Sequence, residues 1–451
     1  MLKKNELNSL FNLFVPVLEE IKNEADISKF NIPILVYTGD QNNLPTIFER
    51  LNSKGTQLSK YQIYAATWSS YSTISILNRE ITENIKKKYD RLLEEGYEVE
   101  NYDGSPRSFY SSQFSYFEYL FGLGKHLCQK YEYLFKDSSK VEQEDSIGFN
   151  LVNICLGLAF NEMDKLPEHL SKYSLSDFES KLLDSVDITY NLLKGFISLK
   201  MNKQKRIPIN HTEFQIISII GKIFHSKYDT NLSIKSEWNE KHINLKNNIP
   251  YHYLYDIIRE HWKGSGDSKA YSIIFSTRYE TQIPKNTWKN VFEEWLVNEL
   301  DKKEKQRVGV NDKAILFLKY LYTHSLSAYE EISDKQFDIE HLIPVDRLKN
   351  YATKNNGLPI SALPNLCLLE TKLNREKGND TFYEHFDNLV SLGEFTIEQA
   401  QKEIQNIEKY TYTSKNDLSF VNNINQSNYI SFLKNRHNKI VDLFFEANNI
   451  V

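Results

Sequence analysis

The run Asp338-Ile339-Glu340-His341-Leu342-Ile343-Pro344 puts two carboxylates and an imidazole within four consecutive positions. Hydrolysing a phosphodiester needs a base to activate water and a cation to stabilise charge on the phosphorane and the leaving oxygen. A histidine beside a carboxylate can supply the first and hold the second. In an extended backbone neighbouring side chains project to opposite sides, so Glu340 and His341 are available for different tasks. Asp338, two residues back, lies on the side of Glu340, where it can orient the site or hold an outer-shell water. Asn365 follows the histidine by 24 residues, and Asn374 follows Asn365 by 9. Lys377 comes one helical turn after Asn374, a spacing suited to a phosphate contact. The same residues have a plainer reading: a satisfied core histidine in an apolar strand, and asparagines that serve turns and caps. His385 is a secondary candidate, set against an ordinary position on a helix surface.

The elements needed to position these groups are legible. FDIEHLIPV (337–345) is a β-type run, followed by a polar stretch containing Asn355-Asn356-Gly357. PNLCLLE (364–370) is a second short strand, and TKLNREKGNDTFYEHFDNLVSL (371–392) is a helix after an irregular start, which together make a ββα unit. FTIEQAQKEIQNIEKY and NYISFLKNRHNKIVDLFFEA read as two further amphipathic helices. Upstream, helical periodicity recurs over 60–92, 113–136, 146–165, 175–201, 211–226, 250–262 and 286–302, with polar connectors at 101–108 and 263–269. No repeat of fixed period is present, so a solenoid is unsupported. The GSGD within the second connector follows a helix and lacks the Lys-Ser/Thr ending of a phosphate loop, and it reads as a turn. Near the N-terminus, residues 8–24 form a helical stripe that Pro16 bends, and Ile32–Tyr37 reads as a buried strand ending at Thr38-Gly39-Asp40. A helix then covers roughly Leu44–Asn52, stops at Lys54-Gly55, and gives way to another near Ser59.

At 451 residues the chain is long enough for two to four domains, and 40% apolar with 25% charged residues describes a globular protein. Fifty-five basic minus sixty acidic side chains gives −5, so the total announces neither a nucleic-acid binder nor a membrane-surface protein. Any basic groove must be local, drawn from Lys302, Lys303, Lys305, Arg307, Arg347, Lys349, Lys354, Lys372, Arg375 and Lys377. Lys200, Lys203, Lys205 and Arg206 form a second cluster that reads as a solvated connector. The three cysteines, Cys128, Cys155 and Cys367, contain no CxxC pair, which argues against a disulfide scaffold and a cysteine zinc site and fits a reducing cytoplasm. The first residues resemble neither a signal peptide nor a membrane span, and the expectation is a cytoplasmic protein with no membrane association.

DIEHLIP, Asn365, Asn374 and the following Lys377 resemble the HNH, or ββα-metal, nuclease motif in its H-N-N form, including Pro344 three residues after the histidine. The resemblance implies His341 as general base, Glu340 and Asn374 as ligands of Mg²⁺ or Mn²⁺, Asn365 as loop anchor, and Asp338 and Lys377 in support. Many HNH enzymes have Asp where this chain has Glu340. A second resemblance covers nearly the whole chain. LPTIFERLNSKGTQLSKYQIYAA (44–66), with Phe48, Asn52, Gly55 and Leu58, is similar to the end of the ParB-like domain of GmrSD-type restriction endonucleases. DIEHLIP…NLCLLETKLN is similar to their C-terminal nuclease domain, and YLYDIIREHWKGSGDSK to their helical part.

That family implies a mainly α protein: a truncated ParB-like α/β segment (1–75), a helical region (76–325), the ββα-metal domain (326–395) and C-terminal helices (396–451). It implies a metal-dependent endonuclease for double-stranded DNA, plausible targets being foreign or modified DNA in anti-phage defence. A non-catalytic DNA-binding or sensor subunit, and an HNH nuclease acting on RNA, are the alternatives. The family's DGQQR-type nucleotide motif is missing, so NTP turnover by this chain alone is not expected. An uncovered strand at Ile32–Tyr37 calls for a companion ParB-like chain or a homo-oligomer.

Overall fold

The computed structural model describes residues 74–99, 102–111, 114–136, 146–199, 201, 210–264, 266–325 and 336–450, with separate positions at 12, 14–20, 22, 64 and 68. The chain divides into two units, Met1–Leu58 and Ser59–Val451. In the first, residues 14–20 are helical, in line with the stripe over 8–24. The strand expected at Ile32–Tyr37, the helix over Leu44–Asn52 and the matched positions Phe48, Asn52, Gly55 and Leu58 lie outside the described residues.

The second unit is mainly helical with one small sheet among the described residues. It runs α1 (Arg79–Glu94), α2 (Pro106–Ser111), α3 (Tyr116–Lys130), α4 (Ser146–Cys155), a 3₁₀ turn at Phe160–Lys165, α5 (Leu166–Leu170), α6 (Leu175–Ile197), α7 (Glu213–Lys227), α8 (Trp238–Ile258), α9 (Gly266–Ile274), α10 (Lys285–Leu300) and α11 (Asp312–Ser325). Helix starts follow local chemistry. The Asn78 side chain accepts from the Glu80 and Ile81 amides, Ser115 and Glu118 form a reciprocal capping box, and Thr212 caps α7. Several features differ from the sequence expectation: α11 lies beyond the last expected helical stretch at 286–302, and α2 begins at Pro106, inside the 101–108 connector. α8 begins at Trp238, with Pro250 inside it, because Leu245, Asn248 and Ile249 bury their side chains and tertiary packing carries the helix through the proline. The 263–269 connector is only partly a turn, since α9 starts at Gly266 and buries Ala270, Ile273 and Ile274.

After α11 come β1 (Phe337–His341), α12 (Val345–Lys354), a 3₁₀ turn at Leu363–Asn365, β2 (Leu366–Glu370), α13 (Thr371–Lys377), α14 (Phe382–Ser391), α15 (Ile397–Thr411) and α16 (Gln426–Ala447). The two strands pair antiparallel, Phe337 opposite Glu370 and His341 opposite Leu366, and α13 packs on both. The connection expected to be a polar loop contains α12, which buries Leu348 and Ala352 one turn apart. The single helix expected over 371–392 is two. Gly378 at positive φ ends the first, and the Thr381/Glu384 capping box starts the second. Among the described residues no helix is long and apolar enough to cross a membrane.

The sheet is a partition. Phe337, Leu366 and Leu368, with Ile339 packed alongside, join the large core of the helical region, which also takes Ile440, Phe444 and Phe445 of α16. Cys367 and Leu369 face a second core with Leu342, Ile343, Leu348, Phe386, Tyr429 and Leu433. In the large core α3 and α4 approach backbone to backbone at Gly148, where a Cβ would lie 1.9 Å from the Leu120 carbonyl oxygen. Gly148→Ala must therefore push two helices apart, and it should destabilise the fold by about 1–3 kcal/mol or more in urea unfolding. An unchanged unfolding midpoint would mean that the helices do not cross this closely.

Candidate active site

Antiparallel pairing sets which side chains share a face of the sheet. Asp338 and Glu340 stand opposite Leu369 and Cys367, whereas His341 shares the Leu366 face. α13 follows β2 directly and lays Asn374 and Lys377, three residues apart, over the carboxylate face. Asn374 Nδ2 donates to Asp338 Oδ2 at 3.1 Å, and Lys377 Nζ donates to Glu340 Oε1 at 2.6 Å. Two rungs thus join strand and helix, one neutral-to-ionic and one an ion pair. The pair is largely buried, with the Lys377 side chain 3% and that of Glu340 17% exposed. Lys377 also donates to the carbonyls of Asp380 and Gly378 at 3.1 and 3.4 Å. This differs from the phosphate contact that its spacing suggests: its ammonium is turned inward and cross-links the site.

Asn365 is fully buried, and both ends of its carboxamide bind backbone. Oδ1 accepts from the Ile343 amide at 3.2 Å and Nδ2 donates to the Ile360 carbonyl at 3.0 Å, while its own carbonyl accepts from the Leu342 amide at 2.8 Å. It therefore fastens the chain leaving His341 to the chain entering β2, which is a positioning role. The loop it belongs to is itself clamped. Glu299 of α10 accepts from the Leu363 amide at 3.1 Å. Glu304 accepts from the amide and hydroxyl of Ser361 at 2.6 and 2.7 Å. Arg436 of α16 donates to the Pro364 carbonyl at 2.7 Å, and the Tyr429 hydroxyl donates to the Pro359 carbonyl at 3.0 Å. These four residues were not singled out from sequence. A charged residue on an amphipathic helix looks like a solvent-facing one, and nothing local marks Glu299 and Arg436 as buried.

His341 closes β1. Its Nε2 is shielded from solvent and has no hydrogen-bond partner. Burial, and then the ammonium groups of Lys377 and Lys349, lower its pKa to about 4, so the imidazole is neutral at pH 7 and retains a lone pair. His385, on α14, is buried beside Phe386 rather than on the helix surface.

The chemistry of the donors suits a hard divalent cation: carboxylate oxygens on Asp338 and Glu340 and an amide oxygen on Asn374. Among the described residues, no group of three or more His, Cys, Asp or Glu side chains is gathered closely enough to hold an ion, so a ligand set here depends on Asn374. One Glu340 oxygen already faces a cation, the Lys377 ammonium. The residues fit in kind, with Lys377 as the competing charge. No family model matches the chain, and no curated protein or solved structure matches it.

Replacing Asn365 with alanine leaves the Ile343 amide and the Ile360 carbonyl without these partners in a buried place. At about 1–3 kcal/mol for each buried group left unpaired, Asn365→Ala should lower stability by several kcal/mol, read as a fall in the urea midpoint. A midpoint equal to wild type would show that the loop is not fastened through this side chain.

Proposed function

We propose that the chain is a metal-dependent endonuclease of the HNH type that cleaves double-stranded DNA, with foreign or modified DNA as its target. The observation that carries the reading is the joint placement of the motif residues. An antiparallel strand pair followed by a short helix collects Asp338, Glu340, Asn374 and Lys377 on one face, and Asn365 fastens the loop directly after His341. The likeness of the motif to GmrSD-type restriction endonucleases supports DNA as substrate.

In this reading His341, kept neutral by its surroundings, accepts the proton of the attacking water at an imidazole nitrogen. Asp338, Glu340 and Asn374 would hold a divalent ion, which when bound would supply charge stabilisation for the phosphorane and the departing oxygen. Asn374 holds Asp338 in place from α13. Asn365 keeps the backbone after His341 from moving, which fixes the imidazole relative to the carboxylate face. A second reading, a DNA-binding or sensor subunit that does not cut, is favoured by one feature: the Glu340 carboxylate is already neutralised by Lys377.

Plasmid DNA incubated with the purified chain and Mg²⁺ or Mn²⁺ separates the two. The nuclease reading expects nicking or linearisation by wild type and a loss of about 10²- to 10⁴-fold for His341→Ala, the range of a general base, with an unchanged melting curve. Cleavage by His341→Ala at the wild-type rate would end the assignment. DNA binding without cleavage under any metal condition would favour the sensor reading.

A further inference from the structure

Ten basic residues surround the motif in sequence, and the structure divides them. Lys302 is paired with Glu299, Arg347 with Glu384 and Asp380, Lys372 with Glu376 and Lys377 with Glu340. Among the described residues the exposed Arg375 of α13 makes no ion pair or side-chain hydrogen bond; nor do Lys303, Lys305, Arg307 and Lys354, which are exposed, or Lys349, which is half-buried. These last five are also brought together. The segment carrying the first three is fastened along the end of α12 by paired backbone bonds between Glu304 and Leu358, both 3.0 Å, and by Gln306 Nε2 donating to Thr353 Oγ1 at 3.2 Å. Gly357, at a φ of +81°, lets the two chains touch, since a Cβ there would come within 2.8 Å of the Lys303 backbone. Thr353 stands one turn beyond Lys349 on α12, and Lys354 is its neighbour. At the other end Lys349 lies on the second turn of α12, which begins at Val345, four residues after His341 closes β1. Residues 301–307 carry four cations against Asp301 and Glu304, and residues 345–354 carry three against Asp346, a local excess of positive charge on a chain whose formal total is −5.

We propose that Lys303, Lys305 and Arg307, continued by Lys354 and Lys349 of α12, form a track for the phosphate backbone of duplex DNA that ends at His341. The proposal rests on the nuclease reading for its choice of DNA. The track has no fixed hydrogen-bond geometry toward bases, so it binds by charge and without sequence preference. It lies on a segment outside the strand–helix motif, held to it through Glu304 and Gly357.

The test is fluorescence anisotropy with a short labelled duplex of arbitrary sequence, in a His341→Ala background without divalent metal, over about 50 to 200 mM salt. Three charges removed in Lys303→Gln/Lys305→Gln/Arg307→Gln should flatten the slope of log affinity against log salt by about 2 to 3, and weaken binding at least about tenfold at the low-salt end. Lys349→Gln/Lys354→Gln should flatten it by about 2. The control Lys402→Gln/Lys434→Gln, on α15 and α16, should leave both quantities as they were. A triple variant with wild-type slope and affinity overturns the track, even if the wild-type protein cuts plasmid. A triple variant that loses binding, in a protein that cuts nothing, keeps the track and removes the nuclease reading. Tighter binding of a single-stranded RNA of equal length than of the duplex overturns the choice of partner.

Discussion

The peptide groups of residues 358–365 have to be satisfied in a place where water does not reach, and the site depends on how that is done. A loop between a helix and a strand ordinarily runs over the surface because buried backbone needs partners. Here the partners are long side chains sent in from outside the strand pair: Glu299 and Glu304 from one flank, Tyr429 and Arg436 from the other. Arg436 is 3% exposed and, among the described residues, forms no ion pair with a carboxylate; its guanidinium is solvated by the carbonyls of Thr411 and Pro364 and the Thr413 hydroxyl. Burial lowers its pKa to about 10, which still leaves it charged at neutral pH and costly to leave unpaired. With the loop held, Asn365 can fasten the backbone after His341, and the ends of both strands are fixed together.

The strand pair consequently joins two cores instead of standing as a separable module. Its alternation sends Leu366 and Leu368 one way and Cys367 and Leu369 the other, so neither face of β2 is wet. The carboxylates of β1 survive in this setting because α13 answers each with a partner, Asn374 for Asp338 and Lys377 for Glu340. That pairing has a consequence for chemistry. A cation on the carboxylate face meets an ammonium already seated at Glu340, and the balance between the two charges decides whether the site works as a metal centre or stays a closed ion pair.

The strands at 337–341 and 366–370 were legible because apolar residues cluster there in short runs, and the step from Asn374 to Lys377 was legible because it is one turn of a helix. The helix over 345–354 was hidden by its charged face and the Asn355-Asn356-Gly357 that follows, although Leu348 and Ala352 already carry the helical step. The start of α8 was hidden by Pro250, which looks like a first-turn proline until the packing of Leu245 and Ile249 is known. The inward turn of Lys377 and the clamp residues could not be read at all. Arg436 and Pro364 are 72 residues apart, Glu299 and Leu363 are 64, and no local pattern tells a buried charge from a solvated one.

The central claim, that the strand pair, its clamped loop and the flanking helices form one cooperative unit, is tested most directly by native-state hydrogen exchange followed by mass spectrometry. The Leu342 and Ile343 amides, both bonded to Asn365, and the Leu363 amide should be as protected as the interior of α7 and should open together with it, as members of one unfolding unit do. Rapid exchange across 342–343 and 360–365 while α7 stays protected would contradict the account, because it would show a loop that moves independently of the helices said to hold it.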